Sequence, residues 1–216
     1  MATEQSGSAG THLNGLLQEA GMPALEPDQT SQFVKYLSLF VRWNARINLS
    51  SVREPEEILS RHLLESIVCA RALPERISTL LDFGSGGGLP GIPIAICRPD
   101  LAITLAESQG KKAAFLQEAV RVLGIRATVF GGRAQSLSMQ FDCVSMRAVD
   151  KMAEAVKDAS ALVAPDGWLA LMTTNVDLPR LVQSAGAEFS WPRNHALPGS
   201  ADRLLALARR GVSLQA

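Results

Sequence analysis

Hydrophobic residues recur at helical spacing in the first third of the chain. In residues 30–44 (TSQFVKYLSLFVRWN) one helical face collects Phe33, Leu37, Phe40 and Val41. A second helix is predicted from Pro55, because proline and the acidic residues behind it suit a first helical turn. We therefore predict a helical cap over residues 30–76, preceded by a flexible or weakly ordered N-terminal segment, residues 1–29.

From residue 77 onward, short apolar runs alternate with helical periods, which is typical of a parallel sheet wrapped by helices. The predicted strands are 78–83, 101–106, 126–130, 141–146, 167–173, 186–190 and 203–208. The predicted helices between them are 90–97, 110–123, 151–163 and 177–185, with a turn at Pro165-Asp166-Gly167. Because no helix separates the last two strands, we expect an antiparallel hairpin at one sheet edge. The core domain is predicted to span residues 77–216.

Composition limits the possible function classes but identifies no binding partner. Basic and acidic residues number 21 each among 216 residues, so a nucleic-acid surface has to be a local patch. The three cysteines are widely separated and form no Cys-x-x-Cys pair, which argues against a zinc site or a disulfide framework. No run of about 18 apolar residues occurs. We predict a cytoplasmic monomer with no metal and no membrane partner.

The glycine-rich stretch LLDFGSGGGLPGIP, residues 80–93, raises the question of its ligand. A nucleoside-triphosphate loop requires Gly-Lys-Ser/Thr, but Ile92 follows Gly91. The dinucleotide frame Gly-x-Gly-x-x-Gly matches residues 86–91. That frame leaves two residues over after the strand, and the two prolines remove N–H donors that a pyrophosphate would use. Both phosphate interpretations are therefore disfavoured.

A third frame fits without remainder, with an acidic residue at the strand end and glycines at alternate positions: Asp82, Gly84, Gly86 and Gly88. These glycines allow close approach to a ligand without phosphate, such as S-adenosylmethionine. A turn that only joins strand to helix is the alternative. Glu107, 23 residues after Gly84, ends the second strand, where a carboxylate can accept both ribose hydroxyls. Glu107 alone does not separate S-adenosylmethionine from NAD.

From Val41 to Arg209 the chain resembles the GidB (RsmG) family, bacterial methyltransferases that modify guanine N7 in 16S ribosomal RNA. The resemblance rests on motifs in order: WNARINLSSVR, RHLLES, GSGGGLPGIPIAI with Arg98-Pro99, GKK through Phe115-Leu116, and SMRA. It implies an α/β, Rossmann-like fold, with a seven-stranded mostly parallel sheet, a C-terminal antiparallel hairpin and the helical cap. It also implies S-adenosylmethionine as cofactor and 16S rRNA or the small ribosomal subunit as partner.

The resemblance further implies cofactor contacts at Gly84, Leu89, Ala134, Gln135 and Arg147. Two departures from the family pattern stand out. Gln135 replaces a usual glutamate, although its amide oxygen still accepts hydrogen bonds. Residues 172–175 (MTTN) replace the usual Leu-Lys-Gly, which removes a positive charge.

Guanine N7 carries a lone pair and no proton, so its methylation requires placement and no general base. Accordingly no catalytic residue is assigned, and His62 is interpreted as a packed histidine. Arg147 is expected to contact the cofactor, a phosphate or guanine O6. Lys111 and Lys112 form either a solvated face or a phosphate contact.

Cys143, in an apolar strand, is interpreted as a core residue rather than a nucleophile. Two alternative functions stay open: a methyltransferase of the same fold with another substrate, and an inactive cofactor-binding protein associated with RNA.

Overall fold

The computed structural model describes residues 2–211, with side chains from residue 8 onward. The helices are α1 (Ala2–Glu19), α2 (Pro27–Ile47), α3 (Pro55–Glu57), α4 (Leu64–Ala72), α5 (Gly91–Cys97), α6 (Gly110–Leu123), α7 (Met152–Ala161) and α8 (Leu178–Ala185). A π-helical segment, Ile58–Leu63, joins α3 to α4, and a 3₁₀ turn spans Ala134–Ser136. The helix predicted over residues 30–44 corresponds to α2. It begins three residues earlier, at Pro27, because proline is suited to the first turn of a helix.

Seven strands form one sheet in the order β3-β2-β1-β4-β5-β7-β6. They are β1 (Thr79–Phe83), β2 (Ala102–Ala106), β3 (Ala127–Phe130), β4 (Phe141–Arg147), β5 (Val163–Thr174), β6 (Phe189–Ala196) and β7 (Arg203–Arg210). The first five are mutually parallel, whereas β7 runs antiparallel to both β5 and β6. The predicted mostly parallel sheet with a C-terminal antiparallel hairpin is confirmed.

Helices cover both faces of the sheet. Successive strand residues point to opposite faces, so Leu80 packs with the cap helices, α5 and α6, while Leu81 packs with α7 and α8. The carboxyl ends of the parallel strands share one edge, and that edge of such a sheet is where ligands bind. The cap, packed on the face of Leu80, borders this edge.

The N-terminal segment differs from the expectation for residues 1–29. The structure has α1 there, and Leu13 and Leu17 are completely or almost completely buried against the cap. The small polar residues that open the chain obscured this pair of leucines, which lie four residues apart on one helical face. The division into a terminal segment, a cap and a core remains an interpretation.

Two strands are longer than the pattern indicated. Pro165-Asp166-Gly167, predicted as a turn, lies inside β5, where the register with β4 shifts and Asp166 takes a φ of 64°. Likewise β6 continues through Pro192, where the register with β7 shifts between Ser190 and Arg193. Proline lacks an amide donor and is tolerated at an irregularity on an edge strand. Proline therefore marked a bulge in β6 rather than a strand end.

Candidate active site

The glycine turn after β1 requires glycine at alternate positions. Gly84, Gly86 and Gly88 have φ angles of 72°, 55° and 81°, in the left-handed region that side chains with a Cβ rarely adopt. A Cβ on Gly86 would meet only the carbonyl oxygen of Gly84, at 3.9 Å, so the space beside it is open. The alternate spacing thus follows from backbone conformation, and Gly86 leaves room for a ligand.

Most amide hydrogens of this turn are used within the protein. Ser85 N donates to the carbonyl of Ala106 (2.9 Å), and the amides of Gly88 and Leu89 donate to the carbonyl of Ser85 (2.7 and 3.2 Å). Pro90 has no amide hydrogen. A phosphate-binding loop needs several free N–H groups, so this turn is unsuited to phosphate.

Asp82 fixes the position of the turn by hydrogen bonds. Its carboxylate is 1% exposed and accepts hydrogen bonds from Ser145 Oγ (2.9 Å) and Gly91 N (3.2 Å). Burial raises the pKa of Asp82 to about 6. Asp82, the acidic residue of the predicted frame, therefore connects the end of β1 to β4 and to the first residue of α5.

Glu107, directly after β2, holds the other side of the turn. Its two carboxylate oxygens accept hydrogen bonds from Gly86 N (2.9 Å) and Gln109 N (2.7 Å). A carboxylate offers about four lone-pair sites, so each oxygen retains acceptor capacity. Glu107 is 6% exposed and lines two cavities, where that capacity is available to a ligand.

Three adjoining cavities follow the carboxyl edge of the sheet. The glycine-turn cavity, of about 380 Å³, is lined by Gly84, Gly86, Leu89, Glu107, Lys112 and Arg147. The Gln135 cavity, of about 320 Å³, shares Gly84 and Glu107 with it and adds Ala134 and Gln135. The Arg203 cavity, of about 460 Å³, shares Ser50, His62 and Arg147 with the glycine-turn cavity.

Two predicted residues lie outside these cavities. Gly88 borders none of them, and a Cβ there would collide with Ile92 and approach Leu116 Cδ2 to 3.1 Å. Gly88 therefore shapes the turn and its packing. Lys111 is exposed on α6, whereas its neighbour Lys112 is half-buried and lines the glycine-turn cavity.

Arg147, at the end of β4, borders two cavities, with its terminal nitrogens bound to the cap. Nη2 donates to Glu65 Oε2 (2.8 Å), His62 Nδ1 (3.0 Å) and the Arg61 carbonyl (3.2 Å). Nη1 donates to the His62 carbonyl (3.3 Å) and Ser66 Oγ (3.4 Å). Among the described residues its Nε has no hydrogen-bond partner. Nε is therefore the guanidinium donor that these hydrogen bonds leave unused, and the expected contact of Arg147 with cofactor, phosphate or guanine O6 stays a prediction.

Glu65, which the sequence reasoning missed, forms ion pairs with two arginines. It is 1% exposed, and its Oε1 accepts a hydrogen bond from Arg203 Nε (2.6 Å) while Oε2 accepts from Arg147. The cap, β4 and β7 meet at this one carboxylate. Locally Glu65 is a single acid between Leu64 and Ser66, and Arg203 follows 138 residues later, so no sequence signal joined them.

His62 is buried, as the sequence interpretation holds, and its ring nitrogens contact Ser50 Oγ (2.8 Å) and Arg147. Burial, reinforced by neighbouring arginines, lowers the pKa of His62 to about 3. His62 is therefore neutral near pH 7 and too weak a base for proton abstraction. Cys143 lies in β4 with no exposure, and burial raises its pKa well above the usual range, which supports a core role.

Some basic residues border the site, and others pair with acidic residues elsewhere. Arg61 and Arg203 line the Arg203 cavity, whereas Arg42 pairs with Glu118 and Arg209 with Asp166. The end of β5 borders the same cavity through Met172, Thr173 and Thr174. Residues 172–174 of the MTTN segment thus line the Arg203 cavity and not the Gln135 cavity.

A family model and curated relatives match most of the chain. A model of the family GidB, rRNA small subunit methyltransferase G, matches residues 29–187. A ribosomal RNA small subunit methyltransferase G from Xanthomonas campestris pv. campestris is 42% identical over 163 residues, covering 74% of each chain. The family model covers the cap helices and strands β1 to β5, and it ends before β6.

Solved structures show the fold independently. A predicted O-methyltransferase from Agrobacterium tumefaciens aligns with a TM-score of 0.59 at 20% identity, over 69% of this chain and 82% of its own. A ribosomal protein L11 methylase from Lactobacillus delbrueckii subsp. bulgaricus aligns with a TM-score of 0.57 at 12% identity, over 68% and 76%. By the family model and the identity to its relatives, the chain belongs to the GidB family of small-subunit ribosomal RNA methyltransferases.

Proposed function

We propose that this chain transfers the methyl group of S-adenosylmethionine to N7 of a guanine in 16S ribosomal RNA. The observation that carries the proposal is the hydrogen bond between Gly86 N and the Glu107 carboxylate. This carboxylate keeps lone pairs for a ligand, whereas most amides of the neighbouring turn already donate to protein acceptors. That combination suits an adenosine ligand without phosphate. Membership of the GidB family supports the choice of substrate.

The residues around the glycine turn fit such a cofactor. The open space beside Gly86 admits a ligand close to the backbone, and the remaining lone pairs of Glu107 can accept ribose hydroxyls. The cofactor would be held by Gly84, Gly86, Leu89, Glu107, Ala134, Gln135 and the Nε of Arg147. When bound, S-adenosylmethionine supplies an electrophilic methyl group on a sulfonium.

The acceptor side is the Arg203 cavity, which adjoins the glycine-turn cavity at Arg147 and His62. Guanine N7 brings its own lone pair, so no residue has to remove a proton first. The neutral His62 agrees with that requirement, because its pKa of about 3 leaves it a poor base. The contribution of the protein is orientation of the base. Holding the reacting atoms in line can lower the barrier by several kcal/mol, and by about 7 or more when the geometry is favourable.

The RNA backbone would meet the positive rim of the site. Lys112 lines the glycine-turn cavity, Lys111 is exposed beside it, and Arg61 borders the Arg203 cavity. Residues of this type neutralise phosphates and make binding sensitive to salt. We propose that the protein acts in the cytoplasm as a monomer on 16S rRNA or the small subunit. No helix within residues 2–211 is long and apolar enough to cross a membrane.

Methyl transfer from labelled S-adenosylmethionine to purified small ribosomal subunits tests the proposal. The expected result is label in 16S rRNA and none in ribosomal protein. Cofactor binding by calorimetry without any transfer to RNA would instead favour an inactive cofactor-binding protein. Label in a protein fraction would favour another substrate.

A further inference from the structure

Ser50 lies where the cofactor side and the acceptor side of the site meet. It follows α2, is half-buried, and lines both the glycine-turn cavity and the Arg203 cavity. Its hydroxyl contacts His62 Nε2 at 2.8 Å and receives a hydrogen bond from Val52 N at 3.1 Å. The partners of this hydroxyl determine what it can offer a ligand.

The hydrogen-bond direction between His62 and Ser50 follows from Arg147. A guanidinium only donates, so His62 Nδ1, 3.0 Å from Arg147 Nη2, is the acceptor. The ring is neutral and carries one proton, which therefore resides on Nε2. Nε2–H donates to Ser50 Oγ.

Ser50 Oγ consequently accepts two hydrogen bonds, one from His62 and one from the amide of Val52. A hydroxyl oxygen has two lone pairs, so both are in use. The hydroxyl hydrogen has no acceptor among the described residues. A serine that could ordinarily donate or accept is thus restricted to donating, at the junction of two cavities.

We infer that the Ser50 hydroxyl donates a hydrogen bond to O6 of the target guanine and so selects guanine over adenine. This inference rests on the proposed function. Guanine presents the acceptors O6 and N7 side by side on one edge, whereas adenine carries an N6 amino donor at the position of O6. A hydroxyl that can only donate forms a hydrogen bond with O6 of guanine. In adenine it would face the amino group, which is also a donor. Binding O6 leaves the N7 lone pair free for the methyl group.

The test combines a change in the protein with a change in the base. Small subunits are reconstituted with 16S rRNA that carries 2-aminopurine, which lacks O6, at the guanine that the wild type methylates. We expect the wild type to lose about 10-fold in kcat/KM on this substrate, the value of one neutral hydrogen bond. Ser50→Ala should lose about 10-fold on guanine and show no further loss on 2-aminopurine. Ser50→Thr, which keeps the hydroxyl, should behave as the wild type.

Ser184→Ala is the matched control, since Ser184 is a half-buried serine on α8 whose hydroxyl donates only to the Arg180 carbonyl. It should leave both substrates unaffected. Equal wild-type activity on guanine and 2-aminopurine would overturn the inference, and this arm needs no variant. A Ser50→Ala variant that still prefers guanine over 2-aminopurine by the wild-type factor would also overturn it.

A fall in S-adenosylmethionine affinity that matches the fall in rate for Ser50→Ala would assign the hydroxyl to the cofactor instead. These failures are distinct from failure of the proposed function, in which the wild type would form no 7-methylguanosine at all.

Discussion

The carboxylate of Glu65 in α4 accepts a hydrogen bond from Nη2 of Arg147 at the end of β4, at 2.8 Å, and both side chains are largely buried. Arg203 approaches the same carboxylate at 2.6 Å. Glu65→Gln would leave two neighbouring guanidinium groups without a counter-charge. We expect the free energy of unfolding to fall by about 3–5 kcal/mol, measured by urea denaturation, because a broken buried ion pair strands its partner.

Two controls make this prediction specific. Glu57→Gln, which breaks a more exposed pair with Arg61, should cost about 1 kcal/mol or less. The double variant Glu65→Gln/Arg203→Gln should recover part of the loss, since it leaves a single guanidinium among neutral groups. A double variant as unstable as Glu65→Gln would contradict the electrostatic explanation.

Glycine-to-alanine changes should separate the ligand side of the turn from its packing side. A Cβ on Gly91 would lie 2.6 Å from Asp82 Oδ2 and collide with Leu105, so Gly91→Ala should destabilise the fold strongly. Gly86→Ala meets open space and pays only for its left-handed backbone, about 1–2 kcal/mol. Its added methyl should nevertheless weaken S-adenosylmethionine binding, measured by calorimetry on the folded variant. Wild-type affinity in Gly86→Ala would argue against the glycine-turn cavity as the cofactor site.

Glu107→Ala should weaken cofactor binding by about 10-fold to 100-fold, because hydrogen bonds to a carboxylate are stronger than neutral ones. It also frees the amides of Gly86 and Gln109. Glu75→Ala, at an exposed acid remote from the site, provides the control for loss of charge. If Glu107→Ala bound S-adenosylmethionine as tightly as Glu75→Ala, Glu107 would have no part in holding it.

Acid should destabilise the protein through His62. The unfolded state binds a proton near the ordinary pKa of 6.5, but the folded state only near 3, so below pH 6.5 the unfolded state holds more protons. Asp82 acts in the opposite sense, because its raised pKa of about 6 lets the folded state hold the extra proton between pH 6 and 4. The contributions of His62 and Asp82 therefore offset each other in that range.

Comparison with His62→Asn isolates the histidine. The stability advantage of the wild type over this variant should be constant above pH 7 and shrink by about 1.4 kcal/mol per pH unit between pH 6 and 4. Urea denaturation at pH 7.5, 6 and 5 measures it. A difference independent of pH would mean that His62 protonates normally in the folded protein.

Local patterns predicted the glycine turn, Glu107 and the alternation of strands and helices, because each depends on residues close in sequence. The bulges at Pro165 and Pro192 were misread, since proline signals an interruption without saying whether a strand resumes. Features made by distant residues were invisible. The junction of Glu65 with Arg203 and the restricted hydroxyl of Ser50 depend on packing of the cap against the sheet edge.

The central claim concerns one atom of one base. Small subunits methylated with labelled S-adenosylmethionine should be digested to nucleosides, and the labelled nucleoside identified by chromatography and mass spectrometry. The account predicts label in 7-methylguanosine from 16S rRNA, formed about 10-fold to 100-fold more slowly by Glu107→Ala at low cofactor concentration and at the wild-type rate by Glu75→Ala. Label in any other nucleoside would contradict it.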